Sequence, residues 1–241
     1  MRGLFVTGTG TEVGKTVVAS ALAYTARATG ARVAVFKPAV SGLDDHPLSP
    51  EVWRSAPDLP DHALLRLAAG SKQGDDAVAP YRYGPAVSPH LAAELAGEPI
   101  DPDILRGTAL AATEGANMLV CEGVGGFLVP LTTDYLVRDL ARDLALPVVV
   151  VAPPGLGTIN HTLLTVQMLR ANGLKVAGVV VNRYPTDRAS VAEETNPRAI
   201  EKWGKVPVLC IVPDEPVSGV TIPPGISAAI DSVNWAELIR L

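Results

Sequence analysis

The sequence predicts an α/β protein, a single domain over residues 1–241 in which a mostly parallel central sheet is covered by helices on both faces. Three observations predict it. Short β-branched runs recur along the chain and are apolar throughout, the pattern of strands buried on both faces. Stretches with helical spacing separate them. The first of these strands also runs into a glycine-rich turn that ends Gly14-Lys15-Thr16 and opens a helical pattern.

In chain order, the strand-like runs are Leu4-Phe5-Val6, residues 32–36, Met118-Leu119-Val120-Cys121, Val148-Val149-Val150-Val151, residues 176–181 and residues 208–212. The helical runs are residues 16–29, ending at Gly30, residues 134–144 with Leu136, Val137, Leu140 and Leu144 at helical spacing, and residues 158–172, ending at Gly173. Residues 41–60, rich in Pro and Asp, read as a loop on the ligand side. Residues 61–113 read as three helical pieces without a strand, one of them opened by Ser88 as N-cap and Pro89 at the first helical position. In such a fold, ligands bind outside the carboxyl ends of the strands.

With 241 residues, 48% of them hydrophobic, the chain can bury a large core without disulfides or structural metal. A formal net charge of -5 gives no basic footprint, so a nucleic-acid partner is not expected. No apolar run reaches the length of a bilayer span, and the N-terminus lacks the apolar core of a signal peptide, so a cytoplasmic protein with no membrane partner is expected. The two cysteines, Cys121 and Cys210, sit in apolar runs and read as buried reduced thiols.

A glycine-rich turn between strand and helix aims several backbone N–H groups at one anion, and the helix dipole adds to the attraction. Here residues 8–16 (Gly8-Thr9-Gly10-Thr11-Glu12-Val13-Gly14-Lys15-Thr16), running into Val17, make that turn. Lys15 supplies charge for the outer phosphates and the Thr16 hydroxyl a ligand for Mg²⁺. The spacing departs from G-x-x-x-x-G-K-[ST], which would put glycine where Thr9 stands. Phe36-Lys37-Pro38-Ala39-Val40-Ser41 places a lysine and a hydroxyl after the second strand; by position alone Lys37 reads first as an exposed strand-end lysine. Glu122-Gly123-Val124-Gly125-Gly126 places a carboxylate where a buried strand gives way to glycines, suited to Mg²⁺ or merely ending the strand. Gly157-Thr158-Ile159-Asn160-His161 opens a helix whose free N–H groups suit a carboxylate, with capping by Thr158 as the alternative. His161 reads as packing on a helix face or polar support rather than as a general base. Asn182, followed by Arg183, offers the donor and acceptor of an adenine-reading amide or a turn former.

These motifs, in this order from Phe5 to about Pro213, resemble the dethiobiotin synthetase family. The lengthened loop carries the resemblance first, although the family often has aspartate where this chain has Gly10. The resemblance implies an ATP- and Mg²⁺-dependent ligase that closes the ureido ring of dethiobiotin from 7,8-diaminopelargonate and CO2, in biotin biosynthesis. It implies nucleotide contacts from Glu12, Val13, Gly14, Lys15, Thr16 and Val17, from Glu122, Gly123, Val124 and Gly125, from Asn182 and Arg183, and from Pro213 and Asp214. Lys37 matches the catalytic lysine, with Lys15 and Glu12 beside the reacting groups, and Ser41 the substrate serine. Gly157, Thr158 and Asn160 match a segment that binds the acid tail of the diamino acid in a site shared across a homodimer. Thr16, Glu122 and a further carboxylate would hold Mg²⁺; Asp61 fits best, with Asp44, Asp45 and Asp58 competing. A nucleotide-dependent partitioning ATPase of the same fold is the alternative, and it would carry a second lysine early in the loop, which is absent here.

Overall fold

The structure is a computed structural model that describes residues 1–45 and 59–239. Its central sheet contains β1 (Gly3–Gly8), β2 (Val33–Phe36), β5 (Met118–Glu122), β6 (Val148–Ala152), β7 (Val176–Tyr184) and β8 (Val208–Pro213), in the spatial order β2-β5-β1-β6-β7-β8. Every neighbouring pair is parallel. The six apolar runs of the sequence therefore all become strands of one sheet. β1 is central, and the chain crosses first to one side of it and then to the other, which makes the carboxyl end of β1 the place where a crevice opens.

Consecutive strand residues are apolar because each faces a different helical layer. Leu4, Val6, Val120, Val149 and Val151 point to one cluster, which also holds Val18 and Leu22 of helix α1 (Lys15–Ala28), Leu65 of α2 (Asp61–Ala69) and Ile226 of α9 (Pro224–Asp231). Phe5, Leu119, Cys121, Val148 and Val150 point to the other, with Leu105 of α5 (Pro102–Ala112), Leu140 of α6 (Val137–Leu144), Val166 of α7 (Thr158–Ala171) and Ile200 of α8 (Val191–Gly204). Both cysteines are free and buried, and burial pushes both thiols up, Cys210 to about 12.

The stretch 61–113 departs from the sequence reading. Among the described residues it holds four helices, α2, α3 (Asp75–Val78), α4 (Pro89–Ala96) and α5, and one short strand, β4 (Tyr81–Arg82), parallel to β3 (Ala39–Val40). Two residues carry no periodicity, so β4 left no sequence signal. Ser88 precedes α4, but its hydroxyl lies 3.1 Å from His90 Nδ1 and makes no cap hydrogen bond. The helix expected from residue 134 starts at Val137, because residues 132–135 fold into a turn closed on the Thr132 hydroxyl. A last short helix, α10 (Trp235–Leu238), packs Trp235 against the first layer. No helix among the described residues is long and apolar enough to cross a membrane.

Two contacts fix the edge that carries Lys37. The Gln73 side chain accepts from the Val35 N–H at 2.9 Å and donates to the Val35 carbonyl at 3.0 Å, so a side-chain amide closes the open edge of β2. The Lys37 N–H then donates to the Val78 carbonyl at 2.8 Å.

His62 of α2 is fully buried, and burial pulls its pKa down from 6.5 to about 4. The unfolded chain therefore holds this proton between those values and the folded chain does not. The resulting stability is fully present above pH 6.5 and is lost as pH falls toward 4. His62→Leu is expected to flatten the acid limb of urea-unfolding stability by up to about one proton, or about 1.4 kcal/mol per pH unit; an unchanged slope would show that His62 does not set it.

Candidate active site

The phosphate-type loop leaves β1 at Gly8 and enters α1 at Lys15. The Thr9 N–H donates to the Val151 carbonyl at 3.0 Å, which ties the loop to β6. Gly14, the N-cap, has φ 84°, and a Cβ there would meet Asn182 Nδ2 at 2.0 Å, so only glycine fits. Glu12 holds φ 61° without being glycine, a local strain concentrated in the loop itself. Gly10 has open space around its missing side chain, and its carbonyl accepts from Lys15 Nζ at 2.8 Å. Burial pulls the Lys15 pKa down, against the opposing pull of Glu122.

Four chain segments converge beside this loop. Lys37, two strands away, is not the exposed strand-end lysine that position alone allows: it is 3% exposed, with Nζ 2.5 Å from Asp61 Oδ2 and 2.6 Å from Glu122 Oε1. Glu122, at the carboxyl end of β5, is wholly buried, and its Oε1 also accepts from the Thr16 hydroxyl at 2.8 Å. The neighbouring Gly123 N–H donates to the Val6 carbonyl at 2.9 Å, which locks this turn against β1. Burial opposes the charge on all three partners. For Glu122 burial prevails and its pKa rises; for Asp61 the Lys37 ammonium outweighs burial and its pKa falls; for Lys37 the two carboxylates outweigh burial and its pKa rises.

These groups line a cleft of about 730 Å³ that also includes Glu12, Ser41, Val124, Gly125 and Arg183. Gly14, Thr16, Lys37, Ser41, Asp61 and Glu122, spread over more than a hundred residues of sequence, are thus brought to one cavity. Of the competing carboxylates, Asp44 instead lies against Gly84, and Asp58 and the Asp45 side chain lie outside the described residues. Asn182 is buried at the end of β7, and its amide nitrogen donates to the Val13 carbonyl at 3.0 Å, so it props the loop from behind. Pro213 and Asp214 end β8; the cleft wall on that side comes from Val217 and Gly219, a few residues further along.

The α7 segment stands apart from this cleft. Gly157 is the N-cap with φ 92°, and Thr158, buried within the first turn, lies 3.5 Å from the Thr162 hydroxyl and does not cap the helix. Asn160 and His161 are exposed, which leaves His161 the polar-support reading rather than packing. Sequence reasoning missed Asn196 of α8, whose buried amide donates to the Pro154 and Gly155 carbonyls at 2.7 and 3.0 Å and so fixes the turn before α7. No local pattern marks it, because its partners lie about forty residues away.

The parallel sheet, the glycine turn at the carboxyl end of its central strand and the lysine-threonine pair that opens α1 define a P-loop nucleotide-binding protein. A family model described as "AAA domain" matches residues 2–220. Relatives named "ATP-dependent dethiobiotin synthetase BioD" include that of Bacillus subtilis (strain 168), 35% identical over 240 residues with 100% of this chain and 98% of the relative covered. That of Aromatoleum aromaticum is 39% identical, with 88% and 90% covered. The chain belongs to the family of ATP-dependent dethiobiotin synthetases. Solved structures of the same fold include the cell division ATPase MinD of Pyrococcus furiosus (TM-score 0.54, 19% identity, 99% of this chain and 95% of that chain covered) and a ParA family ATPase of Chlorobium tepidum (TM-score 0.58, 13% identity, 98% of each). At those identities the likeness concerns fold alone.

Asn182→Ala removes the donor to a buried carbonyl and should destabilise the protein by about 1–3 kcal/mol. Chemical denaturation would measure this, and a loss below a few tenths of a kcal/mol would show that the loop does not depend on Asn182.

Proposed function

We propose that this chain closes the ureido ring of dethiobiotin from 7,8-diaminopelargonate and CO2 with ATP and Mg²⁺. The observation that carries the reading is the convergence of Lys37 and Ser41 on the phosphate loop, in a chain that belongs to the dethiobiotin synthetase family. One amine of the substrate adds to CO2 to give a carbamate. A carbamate oxygen then attacks the γ-phosphorus, ADP leaves, and a mixed carbamic-phosphoric anhydride forms. The second amine attacks its carbonyl and phosphate departs.

Chemistry of this kind asks the protein chiefly for positioning and charge neutralisation. The loop N–H groups, Lys15 and Glu12 surround the transferred phosphoryl in this reading, and Asn182 and Arg183 flank the base side. Lys37 offsets charge at the carbamate, Ser41 hydrogen-bonds it, and the first turn of α7, entered through the turn that Asn196 holds, receives the carboxylate tail across a homodimer. We place this small-molecule chemistry in the cytoplasm.

The residues present fit Mg²⁺. Glu122 Oε2 is buried with no hydrogen-bond partner among the described residues, and the Thr16 hydroxyl and the half-exposed Asp61 carboxylate lie beside it. These are hard oxygen donors, too few to enclose a cation alone, and Mg²⁺ commonly combines one or two carboxylates with substrate phosphates. Thr16, Asp61 and Glu122 would hold it, and when bound it would neutralise charge between the outer phosphates.

Purified protein given ATP, Mg²⁺ and bicarbonate is expected to release ADP only when the diamine is added, with dethiobiotin formed in step. Release that ignores the diamine would favour a nucleotide switch. Lys37→Ala is expected to suppress ring closure by about 10²-fold or more while ATP affinity changes little; normal turnover with lost nucleotide affinity would move Lys37 to the nucleotide.

A further inference from the structure

Lys37 is placed at the acceptor in the proposed reaction, yet its ammonium is paired with two carboxylates elsewhere. It is 3% exposed and contacts Asp61 Oδ2 at 2.5 Å and Glu122 Oε1 at 2.6 Å. Glu122 Oε1 takes a second donor, the Thr16 hydroxyl, while Oε2 of the same carboxylate has no hydrogen-bond partner among the described residues. The carboxylates that hold the lysine are the ones that would hold a divalent cation.

We propose that the Lys37 ammonium and a divalent cation compete for the Asp61 and Glu122 carboxylates, so that cation entry is what frees Lys37 for the acceptor. A cation binds oxygen lone pairs, and at present the N–H and O–H donors of Lys37 and Thr16 point at them. Lys37 Nζ has no lone pair to offer and must withdraw before the oxygens it occupies can coordinate, whereas the Thr16 hydroxyl can donate to Glu122 and still present its own lone pairs. Like charges at contact distance in a buried site repel strongly, so the ammonium cannot stay where it is while a doubly charged ion enters. The flexible stem of lysine permits the departure, and its strand-end position directs it toward the cleft wall at Val40 and Ser41. Lys37 is thereby a resident counter-ion that keeps two carboxylates together until the cation replaces it. The order of events follows, since the cation is seated before Lys37 can act on the carbamate.

The inference rests on the reading of Glu122 and Asp61 as metal ligands, and two measurements without nucleotide or diamine test it. Mn²⁺ alone is titrated into the wild type, Lys37→Met and Glu122→Gln, with free Mn²⁺ followed by electron paramagnetic resonance. Lys37→Met is expected to bind at least about tenfold more tightly than the wild type, and Glu122→Gln more weakly than either. Equal or weaker binding by Lys37→Met overturns the competition, whereas wild-type affinity in Glu122→Gln overturns the ligand assignment on which it rests. The second measurement needs no variant. Limited acylation of the wild type, quantified by mass spectrometry against the exposed Lys72, is expected to label Lys37 several-fold faster when millimolar Mg²⁺ is present. A labelling rate indifferent to Mg²⁺ shows that the cation does not displace the lysine, and overturns the proposal even if the affinities differ.

Discussion

Lys37, buried between Asp61 and Glu122, ties together four parts of the chain that share no sequence neighbourhood: the end of β2, the start of α2, the end of β5 and, through the Thr16 hydroxyl, the first turn of α1. Removing one partner of a buried ion pair commonly costs about 3–5 kcal/mol, because the other charge is stranded away from water. The cluster therefore fixes the geometry of the cleft as well as its charge. Around it the fold does what a parallel sheet does best. It delivers the end of every strand to one rim, so that the phosphate loop, Lys37, Glu122 and Asn182 need only be the residues at which strands stop.

Much of this was legible in the chain. Strands buried on both faces are apolar at every position, so the six sheet strands stood out, and Gly14-Lys15-Thr16 after the first of them fixed the anion site. Lys37 and Glu122 could be placed because each directly follows a recognisable strand. Asp61 was only one of four candidates, since the preceding loop has no periodicity to set a register; the packing of α2 on α1 is what brings it to Lys37. Contacts that span the fold were illegible altogether. Asn196 reaches Pro154 and Gly155, and Gln73 reaches Val35, through side-chain amides that look in sequence like any surface amide. Ser88 carried the sequence signature of a helix cap, but its hydroxyl pairs with His90 instead.

The comparison with MinD and ParA structures separates what the fold provides from what the chemistry adds. The shared architecture accounts for a nucleotide held at the end of the central strand. In this chain Lys37, after β2, and Ser41, after β3, face the same cavity. Gly10 belongs to the same distinction. Its carbonyl holds Lys15 without any side chain, so the loop lysine is positioned here by backbone alone.

The Asp61 and Glu122 carboxylates hold Lys37 and, with the Thr16 hydroxyl, are proposed to hold the metal that accompanies ATP. Anomalous diffraction from crystals grown with Mn²⁺ and a non-hydrolysable ATP analogue tests it most directly. A manganese peak coordinated by these three side chains together with phosphate oxygens is expected, with Lys37 Nζ withdrawn from at least one carboxylate toward Ser41. A peak held by other residues, or a Lys37 that still bridges Asp61 and Glu122 with the metal in place, would contradict it.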